Sequence, residues 1–574
     1  MDLVLALGVD AAQVVEVREG AVGERWTVPA AELPAWVAAR ERDGARWVWA
    51  DSAQTYPAFL RAGVQVRQGV DLRLVRVILR RAGVGAGGGT GDAGPAGAVA
   101  AGGTAYPGSS DPWWDSPSPE AEVLGAQPVD PGATLFDLPS TGPGIDACVT
   151  EHLAQRQALA AADDGGRLAL LCHAESIGAL IAQELNHVGV PFSAEVHDRQ
   201  LTELLGARDV HGGRPARMAQ LCAEVRDALG EPRLNPDSPP DLVAALRRAG
   251  LDVATTRQWE LQQLDHPVIA PLLAYKKLSR LHTANGWAWS QAWVREDRFR
   301  PDWVAGGVVT GRWASRGGGA LQLPKQIRSA VRADPGWRLV VADAAQLEPR
   351  VLAAMSGDRA MAQAAAAGDL YHALVDQGVV DTRAHAKVAM LGAMYGATTG
   401  EAGALMPRLR RAYPRAIGLV DAAAAAGERG EQVRTWLGRT SPSPSAGWRE
   451  VQAAAQQPGA GAGAERRARQ AARDWGRFTR NFVVQGTAAE WALCWMGHLR
   501  RLLHDTYGEE PGPHPELVYF LHDEVIVHTP EGYADDVAEA VRAAARAAGE
   551  LLFGGFPVEF PLDAVVVESY DRAG

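Results

Sequence analysis

The sequence predicts a multidomain α/β protein in which helices surround a small antiparallel sheet, and three observations support that prediction. A chain of 574 residues is longer than one hydrophobic core organises. From about Ala174 onward, amphipathic segments such as SIGALIAQELNHVGV, HDRQLTELLGARD, RMAQLCAEVRDALG and PDLVAALRRAGL follow one another with loop residues between them. Strand-like runs in that part are confined to WRLVVADA and ELVYFLHDEVIVH, and each places one aspartate, Asp343 or Asp523, at the tip of a β element.

The elements follow in order. Residues 1 to about 83 read as a small α/β unit, with VLALGV and RWVWA as strands and YPAFLRAGV and LRLVRVILRRAG as helices. The Gly/Ala/Pro/Ser tract at 83–118 has no apolar period and is expected to be a flexible linker. A helical region spans 146–308, from about which ARMAQLCAEVR to APLLAYKKLSRLHT forms a subdomain. A second weak stretch, SPSPSAGWREVQAAAQQPGAGAGAE, is expected to make 441–467 a flexible insertion.

Bulk properties narrow the function class. With 47% apolar and 22% charged residues the chain is of globular, soluble composition. No window approaches the roughly 18 uninterrupted apolar residues of a membrane span, and no membrane partner is expected. The N-terminus lacks a basic n-region, so no signal peptide is expected. Cys148, Cys172, Cys222 and Cys494 never form a CxxC pair and read as small buried hydrophobes in a reducing, cytoplasmic compartment. The net charge of −11 counts against a protein that coats nucleic acid by bulk electrostatics, though not against a local basic groove. Such a groove is one reading of the stretch from Lys276 to Arg332, where cations interleave with Tyr275, Trp287, Trp289, Trp293, Trp303 and Trp313. A solvated face over aromatic core is the other.

Three patterns carry chemistry. Two aspartates that converge from neighbouring strands can share a pair of divalent cations, as phosphoryl chemistry requires. Arg383, Lys387, Leu391 and Tyr395 recur every fourth residue, so a helix would align a guanidinium and an ammonium for a phosphate chain, then an apolar and an aromatic surface for base and sugar. Arg477, Asn481 and Gln485 repeat the spacing and suit the minor-groove edge of a duplex, whose acceptors are present on every base pair. A turn aspartate, a solvated helix face or a capped amide is the bland alternative for any one of these taken alone.

In this order the elements resemble family A DNA polymerases of the bacterial polymerase I type. DAAQLEPR is similar to that family's motif A, RAHAKVAMLGAMYG to motif B and LHDEV to motif C, while TGRWAS, VRTWLGR and NFVVQGTAAE are similar to further blocks. AAQLEPRVLAAMSGD also resembles the short actinobacterial exonuclease/polymerase form. The resemblance implies a right-hand fold: thumb and helical connection at 146–308, palm at 309–365 and 476–574 with an antiparallel sheet, and fingers at 366–475. It implies Asp343 and Asp523 as ligands of two Mg²⁺ ions, with the Ala344 carbonyl assisting, Mn²⁺ able to substitute and Glu524 an accessory candidate. Lys387 would join the two aspartates in catalysis. Gln346, Glu348, Tyr371, Arg383, Lys387, Leu391 and Tyr395 would bind dNTP, with Glu348 blocking a ribose 2′-OH. Arg312, Arg477, Asn481, Gln485 and His522 would bind primer-template DNA, and Lys276 of the basic central stretch is grouped with them on its charge. The implied protein is a monomer that adds dNTPs to a primer 3′-OH in repair or replication.

Several positions depart from the family pattern. Ala344 and Ala345 replace Tyr-Ser, Pro349 replaces Leu, Leu391 stands for Phe or Tyr, and Tyr371 takes a place often held by His. Residues 1–145 resemble a 3′–5′ exonuclease of RNase H-like fold but lack its carboxylates. Asp10-Ala11-Ala12 has no Asp-x-Glu, and Tyr56 stands where an aspartate is expected, so this domain reads as degenerate and inactive. Two other functions share parts of the pattern. One is a catalytically silent DNA-binding repair accessory protein. The other is a single-subunit RNA polymerase, which Glu348 disfavours.

Overall fold

The computed structural model describes residues 1–83, 109–115, 142–209, 211–317, 319, 323–366, 368–396, 400–508 and 512–573. The N-terminal unit is built on strands β1 (Asp2–Ala6), β2 (Ala11–Arg18), β3 (Ala21–Pro29), β4 (Arg46–Trp49) and β5 (Gly69–Asp71) in the order β3-β2-β1-β4-β5. The β1/β2 and β2/β3 pairs are antiparallel, whereas β4 runs parallel to β1 and β5 parallel to β4. Helices α1 (Ser52–Arg61) and α2 (Leu72–Ala82) follow β4 and β5, and each starts on an aspartate whose side chain caps it, Asp51 and Asp71.

Most of the tract at 83–118 lies outside the described residues. The part that is described, 109–115, corrects the expectation of flexibility, because it is anchored. Arg76 donates to the Ser109 carbonyl at 3.0 Å, the Ser109 N–H donates to Glu151 at 2.8 Å, and Trp114 is buried.

The N-terminal unit is joined to the rest through α3 (Gly165–Val188). This helix is long and apolar enough to cross a membrane by length and composition alone, but most of it is buried within the protein. Its Glu184 accepts from the Tyr56 hydroxyl at 2.7 Å and from Arg500 at 2.9 Å, and Arg500 also donates to the Arg67 carbonyl at 3.0 Å. A carboxylate and a guanidinium buried together are stable only with such complete pairing.

The second half is organised by a four-stranded antiparallel sheet. In chain order its surroundings are α4 (Ile269–Asn285), β6 (Trp337–Ala344), α5 (Leu347–Ser356), α6 (Leu370–Asp376), α7 (Arg383–Tyr395), α8 (Ala446–Gln456), α9 (Ala462–Tyr507), β7 (Glu516–Leu521), β8 (Glu524–Pro530), α10 (Ala534–Phe553) and β9 (Leu562–Val567). The strand order is β7-β8-β6-β9. Leu339, Val340, Val341 and Ala342 of β6 are all buried, and α10 packs against this strand.

One further expectation needs correction. Residues 441–467 are not a flexible insertion. Ser445 caps α8, and α8 lies along α9 with Trp448 donating to the Ala471 carbonyl at 3.1 Å and Gln452 to the Ala468 carbonyl at 2.9 Å. Alanine-rich helices can approach closely without a strong apolar stripe, and so the periodicity was weak. Of the two readings of the aromatic residues between Tyr275 and Trp313, the structure matches the aromatic core. Tyr275, Trp287, Trp289, Trp303 and Trp313 are core, and Arg298 and Arg316 pair with Asp334 and Asp302.

Candidate active site at the end of the central sheet

The two aspartates meet although they lie 180 positions apart. β6 pairs with β8 so that Asp343 stands opposite Glu524, and the tight turn between β7 and β8 carries Asp523. The Ala344 N–H donates to the Asp523 carbonyl at 2.8 Å, which ties the two segments by their main chains. Gln346 and His522, which flank them, both have left-handed backbone, with φ of 57° each. Non-glycine residues adopt this only where surrounding structure holds it, and it is commonest at functional turns.

The electrostatics follow from this proximity. Burial and then the neighbouring Asp343 push the Asp523 carboxyl up to about 7. Asp343 is also raised, by burial and by Asp563, its cross-strand neighbour on β9. Glu524 is raised by burial, against a 2.8 Å bond from the Tyr570 hydroxyl. Two facing carboxylates with main-chain carbonyls nearby form an all-oxygen donor set, which fits Mg²⁺ or Mn²⁺ better than a soft metal. Among the described residues no group of three or more His, Cys, Asp or Glu side chains forms a closed metal cage. Substrate oxygens would therefore have to complete the coordination.

The helix stripe forms as its spacing predicts. Thr382 caps α7, whose exposed face carries Arg383, Lys387 and Tyr395, while Leu391 is half-buried against the core. Arg383 is bound to Asp369 at 2.8 Å, and its guanidinium lies 5.5 Å from the centre of the buried Tyr371 ring. Burial raises the Tyr371 hydroxyl to about 12, with the Asp369 and Glu348 charges adding to it. The same Asp369 accepts from Gln346 at 2.8 Å and from the Tyr371 N–H at 2.8 Å. Burial alone would raise its pKa, but the bonds from Arg383 and Gln346 outweigh it and hold the carboxylate below its ordinary range.

Glu348 is held between Arg312 and the Tyr395 hydroxyl, the latter at 2.9 Å, and Gln485 also bonds that hydroxyl. The preceding residue explains how Arg312 reaches it. Gly311 has φ +85° and a Cβ there would lie 2.6 Å from the Arg439 guanidinium, so only glycine makes this turn. Pro349, a departure from the family pattern, falls in the first turn of α5, where its missing N–H goes unused.

The other expected DNA contacts divide. His522 belongs to the cluster, its pKa lowered by burial and then by Arg312. On α9, Arg477 is exposed beside Asp474, and the Asn481 side-chain oxygen is buried with no hydrogen-bond partner among the described residues. Lys276 does not join them. It lies on α4, where its ammonium donates to the Thr256 hydroxyl at 2.7 Å, in a groove of about 670 Å³ with Arg247 and Arg257.

Sequence reasoning missed three residues. Asp369 was legible only as a helix cap before LYHALVD. Asp563 is near Asp343 only through strand pairing, which no local pattern records. Arg350 is buried and donates to the carbonyls of Ala345, Ala365, Gly368 and Glu559, bracing the loops behind the site.

The model of a family described as DNA polymerase family A matches residues 213–566. DNA polymerase I of Chloroflexus aurantiacus is 29% identical over 327 residues, covering 52% of this chain and 32% of the relative. The thermostable DNA polymerase I of Thermus thermophilus is 28% identical over 356 residues, covering 57% and 37%. That of Thermus aquaticus is 27% identical over 330 residues, covering 52% and 36%. The match thus spans about a third of these relatives' own length. Among solved structures, the POL domain of Pol1 from M. smegmatis, in complex with DNA primer-template and dNTP, aligns with a TM-score of 0.66. It covers 100% of this chain and 95% of that one at 17% identity, a likeness of fold.

Proposed function

Because the chain belongs to DNA polymerase family A, we propose that it is a template-directed DNA polymerase that extends a primer 3′-OH with dNTPs. The observation that carries this is the main-chain tie from Ala344 to Asp523, which brings two carboxylates to one sheet end, while the Tyr395–Glu348 bond links that end to the helix bearing Arg383 and Lys387. In this reading β6–β9 form the palm, α7 belongs to the fingers and the region around α4 to the thumb.

Asp343 and Asp523, with the Ala344 carbonyl, would hold two Mg²⁺ ions. When bound, these supply charge neutralisation at the attacking and leaving oxygens. Arg383 leaves Asp369 to grip the triphosphate with its fork of donors, and the exposed Lys387 adds a point charge and a proton from Nζ to the departing pyrophosphate. Glu348, fixed by Arg312 and Tyr395, occupies the space a ribose 2′-OH would need. Leu391 offers an aliphatic surface to the incoming nucleotide, and Tyr395 an aromatic one. Arg477, Asn481, Gln485 and His522 line the approach of the primer-template. Catalysis is then positioning and charge stabilisation.

The N-terminal unit is read as an RNase H-like exonuclease scaffold without catalysis, a reading supported by its strand order and by Tyr56, which bonds Glu184. The chain is proposed to act as a monomer, and its four buried free cysteines suit the reducing cytoplasm.

Primer extension with Mg²⁺ tests the reading. Wild-type protein should extend with dNTPs and reject NTPs, and Glu348→Ala should relax that rejection. A protein that shifts primer-template yet never extends it would instead be a silent binding factor.

A further inference from the structure

Helix α9 is 46 residues long, and its N-terminal part is rich in arginine, of which the innermost, Arg480, pairs with Asp421 of the neighbouring helix at 2.7 Å. Residues 462–480 contain six arginines against two acids, Glu465 and Asp474, in a chain whose net charge is −11. Arg466, Arg469, Arg473 and Arg477 are all exposed, and at three- and four-residue spacing they fall on one face. Arg469 pairs with Glu465 at 3.3 Å and Arg477 with Asp474, whereas among the described residues Arg473 bonds the neutral Gln470, at 3.1 Å. Arg466 has no ion pair among the described residues.

The row is continuous with the candidate site. Its inner end continues into Asn481 and Gln485, and Gln485 bonds Tyr395. The stem of Arg477 packs on Gly396, at the end of α7, where an added Cβ would lie 2.9 Å from Arg477 Cγ. The row is also rigid, since Trp448 and Gln452 of α8 bond the α9 backbone from behind. At 1.5 Å per residue it stretches about 16 Å from Arg477 to Arg466.

We propose that Arg466, Arg469 and Arg473 form a rail for the phosphates of the unpaired template strand on its way to the site. The proposal rests on the polymerase reading and adds to it a surface outside the nucleotide pocket. A straight row of cations suits a flexible single strand, which can lie along it. A duplex backbone curves away from a straight helix and would meet only part of the row.

The test is binding, by fluorescence anisotropy, of two primer-templates with the same duplex, one with a one-nucleotide and one with a twelve-nucleotide template overhang. Arg466→Ala/Arg469→Ala/Arg473→Ala should weaken binding of the long overhang about tenfold. The slope of log K against log salt should fall by about 2, at about 0.7 per single-strand phosphate released. Binding of the short overhang, and single-nucleotide addition on it, should be unchanged. Arg466→Lys/Arg469→Lys/Arg473→Lys should restore the long-overhang affinity, separating charge from helix stability. Equal loss on both substrates would place duplex on the rail and overturn the proposal, as would no loss on either. Extension is scored separately. Its absence in the wild type would reject the polymerase reading, while the overhang dependence of binding still decides the rail.

Discussion

Both halves of the molecule bring two aspartates together beside a sheet, yet the two pairs are chemically opposite. Asp51 and Asp71 in the N-terminal unit are buried, and their oxygens are occupied. Asp51 accepts from the Ala53 N–H and from Arg73, and Asp71 from the N–H groups of Ser52 and Leu74. The cavity they line is about 20 Å³, room for one water. Asp343 and Asp523 sit at an open sheet end, and each is raised by burial and then by a neighbouring carboxylate. Closeness of carboxylates therefore does not make a site. Oxygens that face an accessible volume, with cations nearby to receive an anion, do.

The largest expected effect separates the two pairs by activity. Asp523→Ala should lower primer extension by about 10³-fold or more while primer-template binding persists, because a bound metal contributes several kcal/mol at the transition state. Asp51→Asn should leave extension by the folded protein unchanged. A comparable loss in both variants would break the comparison.

Next in size is the junction between the halves. Arg500→Ala leaves Glu184 buried without its cation, which should cost about 3–5 kcal/mol in a denaturant titration. A shift below about 1 kcal/mol would mean that the N-terminal unit is only loosely attached.

A smaller effect is set by pH. Burial and the neighbouring Asp51 raise the Asp71 carboxyl to about 7, so between its unfolded value near 3.8 and 7 the folded chain binds a proton that the unfolded chain does not. The stability it contributes is full below about 4 and is lost as pH rises through 7. Asp71→Asn should flatten that part of the stability–pH curve, read as the denaturant midpoint at successive pH values.

The smallest effect sharpens the picture at the open site. Arg383 is half-exposed, so its pair with Asp369 contributes only about 0.5 kcal/mol after screening. If Asp369 holds Arg383 until the triphosphate arrives, Asp369→Asn should lower KM for dNTP about two- to threefold with little change in kcat. A fall in kcat with KM unchanged would assign Asp369 a direct part in the chemical step.

Legibility in the sequence followed the range of the interactions. The Arg383–Tyr395 stripe, the two strands with their aspartates and the capped helices were readable because period and capping act within a few residues. The α8–α9 pair was not, because Ala- and Gly-rich helices joined by Trp448 and Gln452 side chains on main-chain carbonyls leave no apolar signature. Tyr371 was expected among the dNTP-binding residues, and no local pattern showed that its ring would be buried beside Arg383. Lys276 was grouped with the DNA contacts on charge alone, yet its ammonium is bound to Thr256.

By itself the sequence determined which side chains could do phosphoryl chemistry and which helix face would carry the cations, since both follow from residue type and local spacing. Only the tertiary structure decided that Asp343 and Asp523 share one end of a sheet while Asp51 and Asp71 are sealed into caps. Strand pairing across 180 residues and the closure of a cavity depend on how distant surfaces pack, and no local pattern along the chain encodes them.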